Sequence, residues 1–343
     1  MSTLEVISIL GIPVLLAGFL SINMGASGTS TAFAAAYGAN VIKKKWIPIL
    51  FGIMVIIGAF LGGKEVSLTL GEGILPPELF TPIYTSVILF VIAISLFGAN
   101  LMGVPQSTSQ TTVLAIAGGA AALGKLNTDK LLYEIIPMWF ILPFVGFTLT
   151  YIISKWIFPH IKTKSLEGDF EHIREYKGLK TALIISSLYV AFSVGANNVA
   201  NAAGPIASLF YNELGVVEIN GWSVSMICLL IAAPLFGFGS YLLGFKITRS
   251  AGKEIVKITP FYATIIGIIV ASLLFYASIT QGIPSSLVQL NGACFIALSM
   301  TKSGRKLTLS NKTVRRFLSV WMVAPAFAFL VTYLLTLLVV DLA

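Results

Sequence analysis

Eight stretches of this chain hold no Asp, Glu, Lys, Arg or His: residues 6–42, 46–63, 79–124, 135–154, 181–212, 219–245, 258–301 and 317–340. A helix needs about 20 apolar residues to cross a bilayer, whereas a strand of an outer-membrane barrel needs about 10 with strict alternation. None of the eight alternates polar with apolar residues, so each predicts helix, and 79–124 and 258–301 are long enough for two crossings apiece. Only 10% of the chain is charged and 57% is hydrophobic, against about a quarter charged in an ordinary globular domain. Too few charges remain to coat a water-facing surface. This excludes a soluble enzyme and predicts an all-α polytopic protein, multi-pass in the cell membrane. The formal net charge of +8 comes from Lys and Arg in the connecting loops, the usual mark of cytoplasmic loops rather than of a nucleic-acid surface. Cys228 and Cys294 each sit inside an uncharged run without ligand-like neighbours, so neither a disulfide nor a metal is expected. Met1 to Val6 carries Glu5 and no base, a poor signal-peptide start, and the first run is expected to stay in the mature protein.

The chain repeats itself. Trp139, Pro143, Phe147, Thr150 and Tyr151 match Trp321, Pro325, Phe329, Thr332 and Tyr333 at a shift of 182. Gly103-Val104-Pro105-Gln106-Ser107 with Gln110 resembles Gly282-Ile283-Pro284-Ser285-Ser286 with Gln289 at a shift of 179, and Gly25-Ala26 precedes Gly195-Ala196 by 170. Ordered matches at similar offsets divide the chain into a first transmembrane repeat, 1–157, a charged cytoplasmic linker, 158–177, and a second transmembrane repeat, 178–343.

Loop charges orient the two halves. Lys43-Lys44-Lys45 marks an inside loop, and 64–78, with Glu65, Glu72 and Glu78 against Lys64, an outside one. Lys155, Lys162, Lys164, Arg174, Lys177 and Lys180 put the central loop inside. In the second half, 212–218 has Glu213 and Glu218 and no base, hence outside, while 246–257 and 301–316 are basic, hence inside. Corresponding loops fall on opposite sides, the pattern of two inverted-topology repeats. About five crossings per half are expected, some broken or re-entrant.

The absence of charged side chains from the runs leaves their many Ser and Thr without the activating base that an intramembrane hydrolase needs. No catalytic residues and no enzyme activity are expected. What stands out is polar, small-residue backbone at matching places: Ser21 to Thr31 and Ser193 to Pro205 in one pair, Pro105 to Gln110 and Pro284 to Gln289 in the other. Asn197, Asn198 and Asn201 within one uncharged run are costly in lipid unless they line a cavity. Gly and Asn permit a helix to unwind, and a helix restarting there presents free N–H groups and a positive dipole end, an anion site without cationic side chains. The proline segments build the same cradle, with Pro at the first helical position and hydroxyls beside the unpaired N–H groups. Close packing of small residues explains the Gly, Ala and Ser but not the Asn and Gln. Trp139 and Trp321 read as membrane-interface anchors with no part in a site.

At these residues the chain resembles the inorganic phosphate transporter (PiT) family, whose GANDVANA-type signature is close to Gly195-Ala196-Asn197-Asn198-Val199-Ala200-Asn201-Ala202. Its P-V-S-T-T-H-type segment is similar to Pro105 to Gln110, and the resemblance spans both halves. It implies an inverted-repeat anion symporter with a site at the membrane midplane. The departures bear on the substrate. The family's signature aspartates fall here on Gly28 and Asn198, and its histidines on Gln110 and Gln289. Hydrogen phosphate carries an O–H that benefits from a carboxylate acceptor, whereas sulfate accepts only, so a carboxylate merely repels it. Asn23 to Gly28, Tyr37-Gly38 and Lys43-Lys44-Lys45 also look like the sulfate permease branch of the family.

The expectation is a secondary active transporter that imports sulfate by alternating access with a proton rather than sodium as coupling ion. The alternative is a sodium- or proton-coupled phosphate transporter. The expected substrate-binding residues are Ser27, Gly28, Thr29, Ser30, Ser107, Thr108, Ser109, Gly195, Asn197, Asn198, Asn201, Ser285 and Ser286, with Asn23, Gln110 and Gln289 standing behind them. Expected partners are sulfate or a related oxyanion, the lipid bilayer and a second copy in a homodimer, with no cofactor and no nucleic acid. A passive anion channel is the competing class; its uptake ignores ion gradients.

Overall fold

The computed structural model describes residues 3–102, 106–161, 170, 173, 176–219, 221–244 and 258–342. Gly103 to Pro105, most of the charged linker and the basic loop 246–257 lie outside the described residues. The principal elements are α1 (Thr3–Gly38), α2 (Ile47–Gly62), α3 (Lys64–Leu68), α4 (Pro82–Leu101), α5 (Thr108–Ala122), α6 (Ile136–Ile152), α7 (Lys177–Asn198), α8 (Ala200–Leu214), α9 (Val224–Gly239), α10 (Pro260–Gln281), α11 (Leu287–Ser303), α12 (Arg305–Ser310) and α13 (Lys312–Leu342). Extended structure among the described residues is confined to one hairpin of two-residue strands, β1 (Glu218–Ile219) and β2 (Trp222–Ser223).

Eight helical stretches among the described residues are long and apolar enough to cross a membrane, four before the linker and four after it. Each run with room for two crossings instead holds one long helix and one short one: α4 then α5, and α10 then α11. The 15 residues of α5 rise about 22 Å, less than the roughly 30 Å hydrocarbon core of a bilayer. Each half therefore has four continuous helical stretches long enough to cross and one hairpin helix, of 15 residues in α5 and 17 in α11, rather than five full crossings.

The short helices turn back. After α5, the Asn127 N–H donates to the Ile74 carbonyl and Asn127 Nδ2 to the Gly73 carbonyl, both at 3.0 Å. The chain has thus returned to the end of the molecule from which α4 set out. In the last turn of α11, Thr301 Oγ1 lies 2.7 Å from Ser154 Oγ, which also bonds the Tyr262 hydroxyl in the first turn of α10 at 3.2 Å. That hairpin returns to the other end.

Packing between the halves is reciprocal. Short α5 lies on α13 and short α11 on α6, each against the last long helix of the other half. Likewise α2 packs on α7 and α9 on α1. Glycines set these approaches: a Cβ on Gly195 would strike the Val55 carbonyl, and one on Gly25 the Phe236 carbonyl. Gly58 meets Phe192 and Gly239 meets Ile22 in the same way. Residues 22 and 25 precede 192 and 195 by 170, and 55 and 58 precede 236 and 239 by 181, so one contact pattern occurs twice. Since the obstacle is backbone, the helices must separate to admit a side chain, at more than the roughly 1–3 kcal/mol of ordinary overpacking. Gly195→Val is expected to abolish the monodisperse peak on detergent size exclusion. Gly11→Val, with open space around it, should leave the peak intact.

The Ser21–Thr31 segment departs from its expectation. It does not unwind; α1 runs through it without a break. Its hydroxyls bond back into the helix, Ser21 Oγ to the Ala17 carbonyl at 2.8 Å and Thr29 Oγ1 to the Gly25 carbonyl at 2.7 Å, which satisfies them without freeing an amide. The matching segment is interrupted only at Val199, between α7 and α8. The chain ends its helices instead at the two proline segments.

Candidate functional site

Ser107 and Ser286 open the two hairpin helices α5 and α11 in the same way. Each sits in extended conformation at the N-cap and accepts from the N–H three residues on, Gln110 at 3.3 Å and Gln289 at 3.1 Å. The serine–glutamine spacing is that of a capping box, but the glutamines turn away from their own caps. Gln289 Nε2 donates to Gln110 Oε1 at 2.7 Å. Two helix N-termini that enter from opposite ends of the molecule are thereby tied together in its interior, both glutamines 5% exposed.

A pocket lies where they meet. Ser107, Thr108 and Ser109 line it from the start of α5, Ser286, Leu287 and Val288 from the start of α11, Ser27, Gly28 and Thr31 from α1, Asn198 from the end of α7, and Gln106 from just before α5. The first amides of each helix have no intrahelical carbonyl to bond, and each N-terminus carries a partial positive charge of about half a unit. Every residue lining the pocket is uncharged. Such an arrangement can offer an anion backbone amides, serine and threonine hydroxyls and the side-chain amides of Asn198 and Gln106. It offers no base, no nucleophile activator and no cluster of metal ligands among the described residues.

Of the residues expected at the site, the structure gathers Ser27, Gly28, Ser107, Thr108, Ser109, Asn198 and Ser286 around this pocket. The others stand elsewhere. Thr29 faces Gly244, whose added Cβ would lie 3.3 Å from the Thr29 Cβ, and Ser30 Oγ bonds the Ser27 carbonyl at 2.8 Å. Gly195 is spent on its contact with Val55, and the amides of Gly28 and Gly195 lie within α1 and α7. Asn197, fully buried, is a bracket: Nδ2 donates to Ser278 Oγ at 2.9 Å and to the Ile283 carbonyl at 3.0 Å, while Oδ1 accepts from the Ser285 N–H at 3.0 Å. It fixes the loop from which α11 starts, and Ser285 belongs to that loop. Asn201 Nδ2 donates to Ser109 Oγ at 3.2 Å and points at Met24 Sδ, 4.0 Å away. Asn23 Nδ2 bonds the Phe19 carbonyl at 2.9 Å within α1.

Three features were not anticipated. Thr31 lines the pocket, a position legible in hindsight because it follows Ser27 by four residues and so shares its helix face. Gln106 reaches Ser95 Oγ and Thr111 Oγ1, both at 2.8 Å, and pins the entry to α5. Trp139 is no interface anchor: it is buried, and Nε1 donates to the Pro284 carbonyl at 2.9 Å, a second clamp on the start of α11. A Trp in an apolar run reads as an anchor because its polar edge usually seeks the headgroups; here that edge finds a carbonyl left over by a broken helix.

Comparison with known proteins places this geometry. The sulfate permease CysP of Bacillus subtilis (strain 168) is 32% identical over 318 residues, covering 92% of this chain and 84% of that protein. A solved structure titled "The sodium-dependent phosphate transporter" superposes with a TM-score of 0.78 at 21% identity, over 98% of this chain and 99% of that one, which establishes a shared fold. The pattern of the phosphate transporter family matches residues 24–332, from one turn before Ser27 into the second half of α13. This multi-pass membrane protein belongs to the phosphate transporter family.

Proposed function

We propose that the chain imports sulfate as a secondary transporter, by alternating access between two inverted-topology repeats, with protons as the driving ion. The observation that carries the reading is the uncharged pocket lined by the first residues of two helices, α5 and α11. A tetrahedral dianion that accepts on every oxygen matches donors of this kind, and the absence of a carboxylate removes the repulsion that would select against it. The opposed hairpins and the doubled glycine contacts support the inverted relation of the halves. The transporter names of the relatives support transport rather than catalysis, and the name of the Bacillus subtilis relative supports sulfate.

One observation favours a second reading. Asn198 Oδ1 is buried without a hydrogen-bond partner, and an O–H of hydrogen phosphate would satisfy it. Sodium- or proton-coupled phosphate transport is therefore the alternative. Radiolabelled sulfate uptake into proteoliposomes decides between them, with unlabelled phosphate as competitor and imposed proton or sodium gradients. Proton-driven uptake that excess phosphate does not suppress is the expected result; sodium-driven uptake blocked by phosphate overturns it.

A further inference from the structure

Exposure around the pocket is one-sided. Ser27, Thr31, Asn198 and Val288 are half-buried, whereas Met24, Ser109 and Asn201 are 2%, 1% and 0% exposed. On α1 the exposed side is the C-terminal one, which leads to Lys43-Lys44-Lys45, so the pocket opens toward the end assigned to the cytoplasm. On the opposite side the buried Asn201 of α8 bridges α1 and α5, its Nδ2 3.2 Å from Ser109 Oγ and 4.0 Å from Met24 Sδ. The repeat offset of 170 pairs Asn201 with Thr31, and Met24 with Val194; the offset of 179 pairs Ser109 with Val288. Thr31 thus occupies on the open side the place that Asn201 occupies on the closed side. Val194 is already adjacent to that turn of α1, since a Cβ on Gly28 would lie 3.4 Å from its Cγ1.

We propose that Asn201 is the latch of the outer gate, that Thr31 closes the inner gate as its mirror, and that their unequal partners make the inward-open state the resting one. The outer latch has a hydroxyl and a thioether to bond. The inner one meets two valines, which give van der Waals contact and accept no hydrogen bond. A difference of one buried hydrogen bond biases a two-state equilibrium by about threefold to tenfold. The proposal rests on alternating access between the two repeats but not on which anion is carried.

The test reads state without any anion. In a Cys228→Ala/Cys294→Ala background, Ser27→Cys is exposed to a membrane-impermeant maleimide in inside-out and right-side-out vesicles. The parent is expected to be modified from the inner face. Asn201→Ala should slow that modification by up to about twofold and raise outer-face modification by about twofold to fivefold, as the population shifts toward an even split. Thr31→Asn/Val288→Ser, which gives the inner gate an amide and a hydroxyl, should slow inner-face modification without touching Asn201. Should Ser27→Cys fail to fold, Val288→Cys serves as the reporter for the Asn201→Ala arm. An unchanged inner-face rate in either variant overturns the latch, as does a parent modified at equal rates from the two faces, the behaviour of an open channel. A protein that carries phosphate instead of sulfate would give the same labelling, so the two readings fail separately.

Discussion

Asn198→Asp is expected to cut sulfate uptake by about a hundredfold at neutral pH, with little change in thermal stability. The substitution keeps the shape of the side chain and puts a carboxylate into a pocket whose other lining residues carry no charge. Two unit charges about 4 Å apart repel by roughly 4 kcal/mol at an effective dielectric near 20, and about 2.7 kcal/mol already corresponds to a hundredfold loss of affinity. Because sulfate stays a dianion in mild acid while the carboxyl gains a proton, uptake by the variant should recover as the pH falls, over a range in which the parent changes less. Gly28→Asp is the less clean version of the same experiment, since any Cβ there would stand 3.1 Å from Phe51 Cζ. Sulfate uptake by Asn198→Asp equal to that of the parent would place the anion somewhere other than this pocket.

The neighbouring residue should respond in the opposite sense. Asn197→Ala removes a side chain that satisfies a serine hydroxyl, a carbonyl and an amide, in a site with no solvent access. Leaving a buried polar group unpaired costs about 1–3 kcal/mol each, and the carbonyl of Ile283 and the N–H of Ser285 lie in the loop that starts α11. The expected outcome is a severe loss of folded protein, read as a midpoint lowered by several degrees or as failure to purify. Asn198→Ala should instead leave the midpoint in place and reduce uptake. If the two variants behave alike in both assays, the division of labour drawn from their contacts is wrong.

Much of the fold was legible because the bilayer imposes a simple rule on charge. The uncharged runs mark the long helices, and the 79–124 and 258–301 runs show where two elements share one run. Their second elements proved shorter because Ser107 and Ser286 cap a fresh helix well inside the run, a stop that hydropathy does not register. Site residues were legible to the extent that polarity in lipid needs a reason. That rule finds Asn197, Asn198 and Asn201 together but does not separate them. Which asparagine faces the pocket, which braces a loop and which bridges two helices depends on rotation about the α7 and α8 axes, and Val199 interrupts the helix between them. Hydroxyls were the hardest to read. Thr29 and Ser30 satisfy themselves on carbonyls of their own helix, so their presence in a polar stripe carries no information about a ligand. Trp139 shows the reverse error, a role missed because its partner, the Pro284 carbonyl, is 145 residues away.

The opposed course of α5 and α11 has a consequence for the electrical behaviour of the transport cycle. Each of these helices carries opposite partial charges at its two ends, and a membrane potential acts on such charges at about 2.3 kcal/mol per unit charge per 100 mV. Because the two helices run in opposite directions from a common centre, any motion that exchanges their roles displaces equal and opposite charge, and the voltage does no net work on the protein itself. Currents recorded during transport would then count the cargo alone. Sulfate accompanied by two protons would cross in electrical silence, and a third proton would appear as one inward charge per turnover.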